Sequence, residues 1–387
     1  MPTISVIIPT HNVSLYVENC IDSVLNSTWK KLEVIIIDDS STDDTLKKIQ
    51  RKIIAINDER CHVLSLENWG GVSHARNVAL QAACGDYIAF VDADDWVEAT
   101  MLEKLLEAAH KYNADITLCG TSRLPNPLFT LNRVQPLVFI GRERIDQYIQ
   151  MFMLKGKAEF KPYFSIGQPY GTLYKSELLK KNCITFIEGM QYKEDVLFNM
   201  YAAQFATCVV RINENMYHVN KNNPHSLTTF MLKDEMLCHI RKDVEERKLF
   251  HQKYRMGDSL FEHGLYQYIC RSFMKTVVKT CVYDYDYEKC LSIFMQSTYQ
   301  EAFAKVKLQY MTFLEKIAVT LIRKFHGLRV YYAVSRIFLR IKAIKARCYN
   351  EIFINKFCTV LIRQNGYQNG QQSGSTRGTN RRQDNHL

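Results

Sequence analysis

The sequence predicts an α/β fold, with a mostly parallel sheet flanked by helices and followed by a helical C-terminal extension. Short apolar runs of the kind found in buried parallel strands alternate with segments of helical period from Ile4 to Cys119. The connections between them are short, which favours parallel strands covered by helices on both faces. Polar clusters follow the ends of these strands, so we expect them to converge on one crevice.

The first four strands are predicted from apolar residues. They are residues 4–8 (expected to stop at Pro9), 32–37, 61–66 and 87–91. Three helices are predicted between them from apolar residues at helical spacing. Ser14 is the expected cap of the first helix, and Ser41 or Thr42 of the second. Gly70-Gly71 is expected to precede the third.

Beyond the fourth strand, helices and strands alternate less regularly in the predicted pattern. The pattern predicts a helix at 102–109, a strand at 116–119, an irregular stretch at 121–164 with one helix, a strand at 168–174, a helix at 196–205 and a strand at 209–219. Beyond about Met231 the pattern is helical, and from Gln364 the polar composition predicts disorder. We therefore expect an α/β catalytic domain over 1–230, a basic helical region over 231–363 and a disordered tail over 364–387.

Composition restricts the class of protein and its compartment. The 387 residues carry a formal charge of +10 and 12 cysteines without any Cys-x-x-Cys. These cysteines indicate reduced thiols in a cytoplasmic protein rather than disulfides or a zinc site. We expect no signal peptide and no membrane-spanning segment. Basic residues recur between Lys305 and Arg363, which indicates an anionic partner for the C-terminal region.

Three carboxylates follow the predicted fourth strand, at Asp92, Asp94 and Asp95. Like charges this close repel one another unless a cation or a proton intervenes. A hard divalent ion, with a diphosphate completing its shell, is the natural partner of such oxygens. The alternative is a turn in which these residues cap the next helix.

Taken together, five motifs resemble those of family-2 glycosyltransferases over roughly residues 3–230. The motifs are SVIIPTHN from Ser5, VIIIDDSS from Val34, Ala75-Arg76-Asn77, Asp92-Ala93-Asp94-Asp95 and Glu194-Asp195. Within the family, the sequence looks most like bacterial enzymes that build capsule, exopolysaccharide or lipopolysaccharide glycans. The resemblance implies a GT-A fold, a nucleotide-sugar donor, a divalent metal (Mn²⁺ or Mg²⁺) and inversion at the anomeric carbon.

The resemblance and the chemistry together assign roles on the donor side. Asp94 is expected to hold the metal, with Asp92 orienting it or meeting the donor ribose. The expected donor-binding residues are Pro9, Thr10, Asn12, Asp38, Asp39, Arg76, Asp92, Asp94 and Lys221. The position matching Asp39 faces uracil in the family, so the donor is expected to be a UDP-sugar. Arg76 is expected to steady the diphosphate, and the alternative is an arginine on a helix surface.

A hydroxyl acceptor must lose its proton as it attacks, so a general base is required. Asp195 matches the family's base position, with Glu194 as a neighbour that orients it; the alternative for Asp195 is a helix cap. A single displacement with one base gives inversion. The stretch from Met216-Tyr217-His218-Val219 to Ser226-Leu227-Thr228 resembles the family's segment that closes over the donor. The arginine often found there is Asn220 in this chain, so whether Lys221 or His218 contacts the diphosphate stays open.

These expectations describe transfer of one sugar to a hydroxyl of a glycan or lipid-linked glycan acceptor, since the Gln-x-x-Arg-Trp motif of processive synthases is absent. A polyprenyl-phosphate sugar synthase is the enzymatic alternative. A dinucleotide oxidoreductase is disfavoured because no Gly-x-Gly-x-x-Gly follows the first strand. A nucleic-acid-binding protein is disfavoured because no such module is present, so no nucleic-acid partner is expected.

The C-terminal region contains a basic amphipathic pattern. On a helix, Arg329, Arg336, Arg340 and Arg347 share one stripe, and Tyr331, Val334, Phe338 and Ile341 form a second. Such a helix can lie in a membrane interface, which predicts a peripheral enzyme on the inner face of the plasma membrane. The alternative is that the apolar stripe packs on the catalytic domain.

Overall fold

The computed structural model confirms the predicted fold class. It describes residues 1–124, 135–153, 167–220, 223, 233–324 and 327–337. Within these residues a mixed sheet of nine strands is flanked by helices and followed by further helices. The expected boundary at residue 230 and the tail at 364–387 lie outside the described residues, so the proposed domain limits stay predictions.

The first half of the chain forms the parallel part of the sheet. Its elements are β1 (Ile4–Thr10), α1 (Val17–Leu25), β2 (Leu32–Asp38), α2 (Thr45–Ile56), β3 (Cys61–Ser65), α3 (Val72–Ala82) and β4 (Tyr87–Phe90). β1 lies between β2 and β4, and β2 also pairs with β3, all in parallel. The carboxyl ends of these strands therefore meet at one edge, as expected.

The strands of the second half extend the sheet, some running parallel and others antiparallel to their neighbours. Its elements are β5 (Trp96–Val97), α4 (Met101–Tyr112), β6 (Ile116–Leu124), β7 (Leu137–Ile140), α5 (Arg142–Gln150), β8 (Thr172–Lys175), α6 (Ser176–Lys181), α7 (Glu194–Phe205) and β9 (Cys208–Asn220). The order is β3-β2-β1-β4-β8-β6-β9-β5, with β7 on β9. β8 runs antiparallel to both β4 and β6, so the sheet is mixed beyond β4.

Both faces of the parallel half are buried, which explains its uninterrupted apolar strands. Successive residues of β1 belong to opposite cores: Ile7 packs with α3 and α7, whereas Val6 and Ile8 pack with α1 and α4. Because side chains alternate between faces along a strand, most positions of such a strand are apolar; the buried Ser5 is an exception, and its hydroxyl donates to Glu33. The sequence pattern follows directly from this arrangement.

Pro9 does not end the first strand, contrary to our expectation. β1 continues to Thr10, and Pro9 lies opposite Ile37 of β2. The carbonyl of Ile7 accepts a hydrogen bond from Val91 on the β4 side. Pro9, two residues further on, points to that same side beyond the last β1–β4 pair, where the missing N–H interrupts no pairing.

The predicted caps of α1 and α2 were wrong. α1 begins at Val17, and the amide of Ser14 donates instead to the carboxylate of Asp43 at 3.2 Å. α2 begins at Thr45, whose amide donates to the same Asp43 carboxylate at 2.9 Å. Asp43 therefore ties the two loops together, a long-range role that local sequence does not show.

The remaining helices pack on the face of the sheet that α3 and α7 cover. They are α8 (Lys233–Tyr254), α9 (Ser259–Ser272), a π-turn (Phe273–Val277), α10 (Val278–Tyr283), α11 (Tyr287–Phe294), α12 (Ser297–Lys305) and α13 (Phe313–Ile322), followed by helical residues 327–337. Buried aromatic side chains such as Phe250, Phe273 and Phe303 form their core. Across the described part of the chain, no helix has the length and apolar character needed to span a membrane.

Candidate active site

The three carboxylates after β4 have three different environments. Asp92 is partly exposed and accepts a hydrogen bond from Arg76. Asp94 is also partly exposed, and its Oδ2 accepts from Asn223 Nδ2 at 2.8 Å. Residues 92–95 do form a turn, in which the amide of Asp95 donates to the carbonyl of Asp92 at 3.0 Å, but the next helix is capped by Thr100, so the capping part of the alternative is wrong.

Asp95 is buried beneath the other two carboxylates. It accepts hydrogen bonds from the hydroxyl of Tyr217 at 2.8 Å and the backbone amide of Asn220 at 2.7 Å. Burial, together with the charges of Asp92 and Asp94, raises the pKa of Asp95 to about 8. Asp95 therefore fixes residues 92–95, which we call the acidic loop, against β9. Asp92 and Asp94 stay partly exposed.

Arg76 connects the acidic loop to the N-terminus of α7. Its guanidinium donates to Asp92 Oδ1 at 2.7 Å and to Glu194 Oε1 at 3.3 Å, and lies 5.1 Å from the ring centre of Phe186. Burial lowers the pKa of Arg76, but the two carboxylates outweigh this and raise it. The residue is only 4% exposed, so the helix-surface alternative is wrong. Its described hydrogen bonds join two carboxylates, and contact with a diphosphate stays a prediction.

Glu194 and Asp195 lie in the first turn of α7. The helix cap is Lys193, so the alternative of Asp195 as the cap is wrong. Asp195 Oδ1 accepts from the amide of Val196 at 2.7 Å. Burial and the neighbouring Glu194 raise the pKa of Asp195 to about 8, and burial also raises that of Glu194 against the attraction of Arg76. Asp195 is thus a carboxyl group suited to exchanging a proton near neutral pH.

Thr10 and Asp38 are buried at the paired carboxyl ends of β1 and β2. Asp38 is 1% exposed and accepts from the amide and the hydroxyl of Ser41 at 3.0 and 2.5 Å, and from the hydroxyl of Thr10 at 3.2 Å. The expected roles of Asp38 as an acceptor for the donor and of Thr10 in the wall of the nucleotide pocket stay predictions. Their hydrogen bonds join the end of β1 to the end of β2 and to Ser41.

Asn12 also joins loops, and Pro9 lies beside it. Asn12 has a left-handed φ of 52°, and its side-chain oxygen accepts from the amides of Thr42 at 2.8 Å and Asp43 at 3.3 Å. Asn12 is tolerated in this backbone region more readily than most residues. Its amide therefore fixes the β1 loop to the β2 loop. Pro9 is partly buried at the end of β1, and its contact with the donor stays a prediction.

Asp39 holds the loop that leads into α3. One carboxylate oxygen accepts from the amide of Gly70 and the other from that of Gly71, each at 2.8 Å. Gly71 has a φ of 82°, so a side chain here would be strained. A carboxylate can accept about four hydrogen bonds. These two contacts therefore leave acceptor capacity, and the expected contact of Asp39 with a base N–H stays a prediction.

Lys221 and His218 are the two candidates for an additional phosphate contact, and the structure describes only His218. Lys221 lies outside the described residues. His218 contacts Ser122 through Nδ1 at 2.5 Å and Glu98 through Nε2 at 2.6 Å, and its ring stacks on Trp96. Both ring nitrogens therefore already have partners within the protein, and the choice between Lys221 and His218 stays a prediction.

Several residues of the site were not found from the sequence. Tyr217 and Asn223 contact the acidic loop from more than 100 residues away, and Phe186 lies beneath Arg76. Tyr217 and Asn223 reach these carboxylates because β9 pairs with β5, and Phe186 is held near Arg76 by two hydrogen bonds with the Asn77 side chain. Contacts between such distant parts of the chain are not visible in local sequence. The predicted convergence itself is confirmed: Arg76 joins the end of β4 to α7, and Asp39 joins the end of β2 to α3.

In open α/β sheets, ligands bind beyond the carboxyl ends of the parallel strands, which is where these carboxylates lie. Residues 5–181 match the sequence profile described as Glycosyl transferase family 2. The uncharacterized glycosyltransferase EpsJ of Bacillus subtilis is 32% identical over 278 residues, which cover 70% of this chain and 76% of EpsJ. The chain belongs to glycosyltransferase family 2 and is an enzyme of that class.

Two further comparisons extend this assignment. The poly(ribitol-phosphate) β-N-acetylglucosaminyltransferase TarS of Staphylococcus aureus is 29% identical over 224 residues, 56% of this chain and 35% of TarS. The crystal structure of residues 1–349 of S. aureus TarS with UDP-GlcNAc superposes with a TM-score of 0.64 at 20% identity, covering 88% of this chain and 92% of that one. This likeness confirms the GT-A fold. The chain spans only about a third of full-length TarS.

Proposed function

We propose that this enzyme transfers a single sugar from a UDP-sugar to a hydroxyl of a glycan or lipid-linked glycan acceptor, with inversion and with a divalent metal. The observation that carries the proposal is the chain of contacts from Asp92 through Arg76 to Glu194, beside Asp195. These contacts bring two functional groups together. The carboxylates around Asp92 suit a metal-bound diphosphate, and the Asp195 carboxyl group suits an acceptor hydroxyl.

The donor side suits Mn²⁺ or Mg²⁺ held by Asp94 and Asp92. Among the described residues, no three His, Cys, Asp or Glu side chains are grouped closely enough to hold a metal by themselves. Such ions are commonly bound by one or two carboxylates together with substrate phosphates, which fits this pair. When bound, the ion would neutralise negative charge on the departing diphosphate. Asn223 would orient the Asp94 carboxylate through its 2.8 Å hydrogen bond.

On the acceptor side, ionised Asp195 takes the proton of the attacking hydroxyl. Arg76 fixes Glu194 next to it, and the negative charge of Glu194 increases the basicity of Asp195. One base and one displacement give inversion, because no carboxylate nucleophile forms an intermediate. A polyprenyl-phosphate acceptor is already anionic and needs no base, so the environment of Asp195 favours a hydroxyl acceptor.

The relatives support the kind of substrate. The solved TarS structure contains UDP-GlcNAc, and TarS is named for adding N-acetylglucosamine to poly(ribitol phosphate). We therefore propose a UDP-sugar donor and a role in the biosynthesis of surface polysaccharides.

A donor panel tests this function. The enzyme is expected to hydrolyse UDP-sugars faster than GDP- or CMP-sugars, and calorimetry is expected to show UDP binding more tightly than GDP or CMP. The reason is that Asp39 retains acceptor capacity that can receive the single N–H of uracil. Asp39→Ala should weaken UDP binding and reduce this preference. Tightest binding of GDP would contradict the proposed donor.

For localisation, we propose a peripheral enzyme on the inner face of the plasma membrane. One part of the expected apolar stripe needs correction: Tyr331 packs inward, and its hydroxyl donates to the carbonyl of Met274 at 3.3 Å. The exposed apolar residues of 327–337 are instead Val330, Val334 and Ile337, at helical spacing. Arg336 lies over Tyr285, 4.6 Å from the ring centre. Arg340, Arg347, Phe338 and Ile341 lie outside the described residues.

Flotation with liposomes tests the membrane proposal. Full-length protein at low salt is expected to float with anionic vesicles and much less with neutral ones, since each basic residue near an anionic surface contributes about 1 kcal/mol. Changing Val330, Val334 and Ile337 together to serine should reduce flotation without changing donor hydrolysis. Absence of the wild-type protein from both lipid fractions would leave only the packing role.

A further inference from the structure

Lys193, which precedes the two carboxylates of α7, has an unusual backbone conformation. Its φ is 65°, in the left-handed region that non-glycine residues rarely adopt. Its carbonyl accepts the hydrogen bond from Leu197 that begins the helix. A conformation of this kind persists only where surrounding contacts hold it. The position of Glu194 and Asp195 therefore depends on what fixes Lys193.

The side chain of Lys193 reaches into the C-terminal helices. Its ammonium donates to Asp243 Oδ2 of α8 at 3.1 Å and to the hydroxyl of Tyr268 of α9. The hydroxyl of Tyr268 in turn donates to the same Asp243 oxygen. One lysine thus ties the start of α7 to two helices that lie outside the parallel half-sheet.

Asp243 is itself rigidly held. It is fully buried, and its other oxygen accepts from Arg247 Nε at 2.8 Å. The Arg247 guanidinium lies 4.0 Å from the ring centre of Tyr268 and donates to the carbonyl of Phe152 at 3.3 Å. Burial alone would raise the pKa of Asp243, but Arg247 and Lys193 outweigh it and hold the pKa below its usual range. Asp243 is therefore a permanently charged anchor.

The first turn of α7 is consequently held from two sides. Arg76 holds Glu194 from the sheet, and Asp243 with Tyr268 hold Lys193 from the C-terminal helices. We propose that Lys193 is a positioning residue, through which the C-terminal helices place the Asp195 carboxylate against the acceptor hydroxyl. This inference rests on the proposed function, in which Asp195 is the base.

The test compares hydrolysis rates of full-length variants, using the sugar that the wild-type enzyme cleaves fastest among UDP-GlcNAc, UDP-glucose, UDP-galactose, GDP-mannose and CMP-sialic acid. Lys193→Met keeps the length of the side chain and removes its charge. We expect kcat to fall by about 10- to 100-fold, the effect of misplacing a reacting group by about 1 Å. The KM for the donor should stay near the wild-type value, and the pH profile should shift. Lys193→Arg should recover most of the rate.

Two further variants separate the side-chain contact from backbone strain. Lys193→Gly relieves the left-handed φ but removes the anchor, so it should lose as much activity as Lys193→Met. Tyr268→Phe removes a single hydroxyl from the cluster and should give a smaller loss of kcat with an intact fold. A Lys193→Gly enzyme of normal activity would show that only the backbone conformation matters, and would overturn the proposal.

A second ion pair that involves α9 provides a matched control. Arg271, three residues after Tyr268 on α9, donates to both carboxylate oxygens of Glu315 of α13, each at 3.0 Å, so this ion pair joins α9 to α13 rather than to Lys193. Glu315→Gln should lower thermal stability while leaving kcat and the pH profile unchanged. An equal loss of kcat in Glu315→Gln and Lys193→Met would mean that Lys193 acts only through general stability.

Hydrogen exchange gives a reading that does not depend on the donor. In Lys193→Met the amides of Val196 and Leu197 should exchange faster than in the wild-type protein, because the first turn of α7 has lost an anchor. Unchanged exchange together with unchanged kcat would overturn the inference. If Asp195→Asn were fully active the proposed base would fail, whereas an inactive Asp195→Asn beside an unaffected Lys193→Met would refute the positioning role alone.

Discussion

Asp94→Ala is expected to abolish sugar transfer and leave the protein folded. If Asp94 holds the metal that neutralises the leaving diphosphate, its loss removes several kcal/mol of stabilisation, or at least about 10³-fold in rate. Asp92 cannot supply the missing ligand, because in the proposed site it already has its own place beside the metal and shares Oδ1 with Arg76. The fold should survive, since the change removes one hydrogen bond from Asn223 and relieves repulsion within the acidic loop. Circular dichroism and transfer assays measure both outcomes.

The control is a carboxylate at the other end of the same strand. Asp86 precedes β4 and accepts a hydrogen bond from the amide of Thr3 at 2.7 Å. Asp86→Ala should keep full activity. In the wild-type enzyme, excess chelator should stop transfer, and added Mn²⁺ or Mg²⁺ should restore it. Full activity of the purified enzyme in excess chelator would refute the metal role.

Asp195→Asn is expected to lower kcat by about 10²- to 10⁴-fold, the usual contribution of a general base. The amide has nearly the same shape but cannot take a proton. Because the pKa of Asp195 is raised to about 8, its ionised form becomes more abundant as the pH rises toward 8. The wild-type kcat/KM should therefore increase with pH below about 8 and level off above it. Asp195→Asn should lack this rise, while its affinity for UDP stays unchanged.

A second aspartate at a helix start provides the comparison. Asp286 caps α11 and accepts from the amide of Lys289 at 2.8 Å. Asp286→Asn makes the same chemical change far from the crevice and should leave the rate and the pH profile intact. If Asp195→Asn transferred sugar at the wild-type rate, Asp195 would serve only the first turn of α7.

The parallel half of the sheet was predictable because its strands are buried on both faces. Ile7 and Ile8 face different cores, so both successive positions are apolar, and such runs are recognisable without knowing their partners. The mixed half was less predictable. β8 is only four residues long and takes its direction from its two neighbours rather than from its own sequence.

Within the site, the sequence indicated which residue types lie close together but not which groups each side chain contacts. Asp38 and Asp39 are adjacent acidic residues at one strand end, yet Asp38 accepts hydrogen bonds from Ser41 and Thr10, whereas Asp39 accepts them from two glycine amides. A carboxylate that binds backbone amides and one that binds a ligand have the same local sequence. Arg76 shows the same limit, since only the fold reveals that Asp92 and Glu194 lie on either side of it.

The position of β8 has a consequence for synthesis of the chain. β8 lies between β4 and β6, although it follows both along the sequence. Until Thr172–Lys175 leave the ribosome, the facing edges of β4 and β6 have no partner strand. At a synthesis rate of about 5–20 residues per second, the wait after β6 lasts about 2 to 10 s. Unpaired edges of apolar strands invite pairing with other chains. A nascent or truncated chain that ends before Thr172 is therefore aggregation-prone, and its solubility depends on completing the sheet.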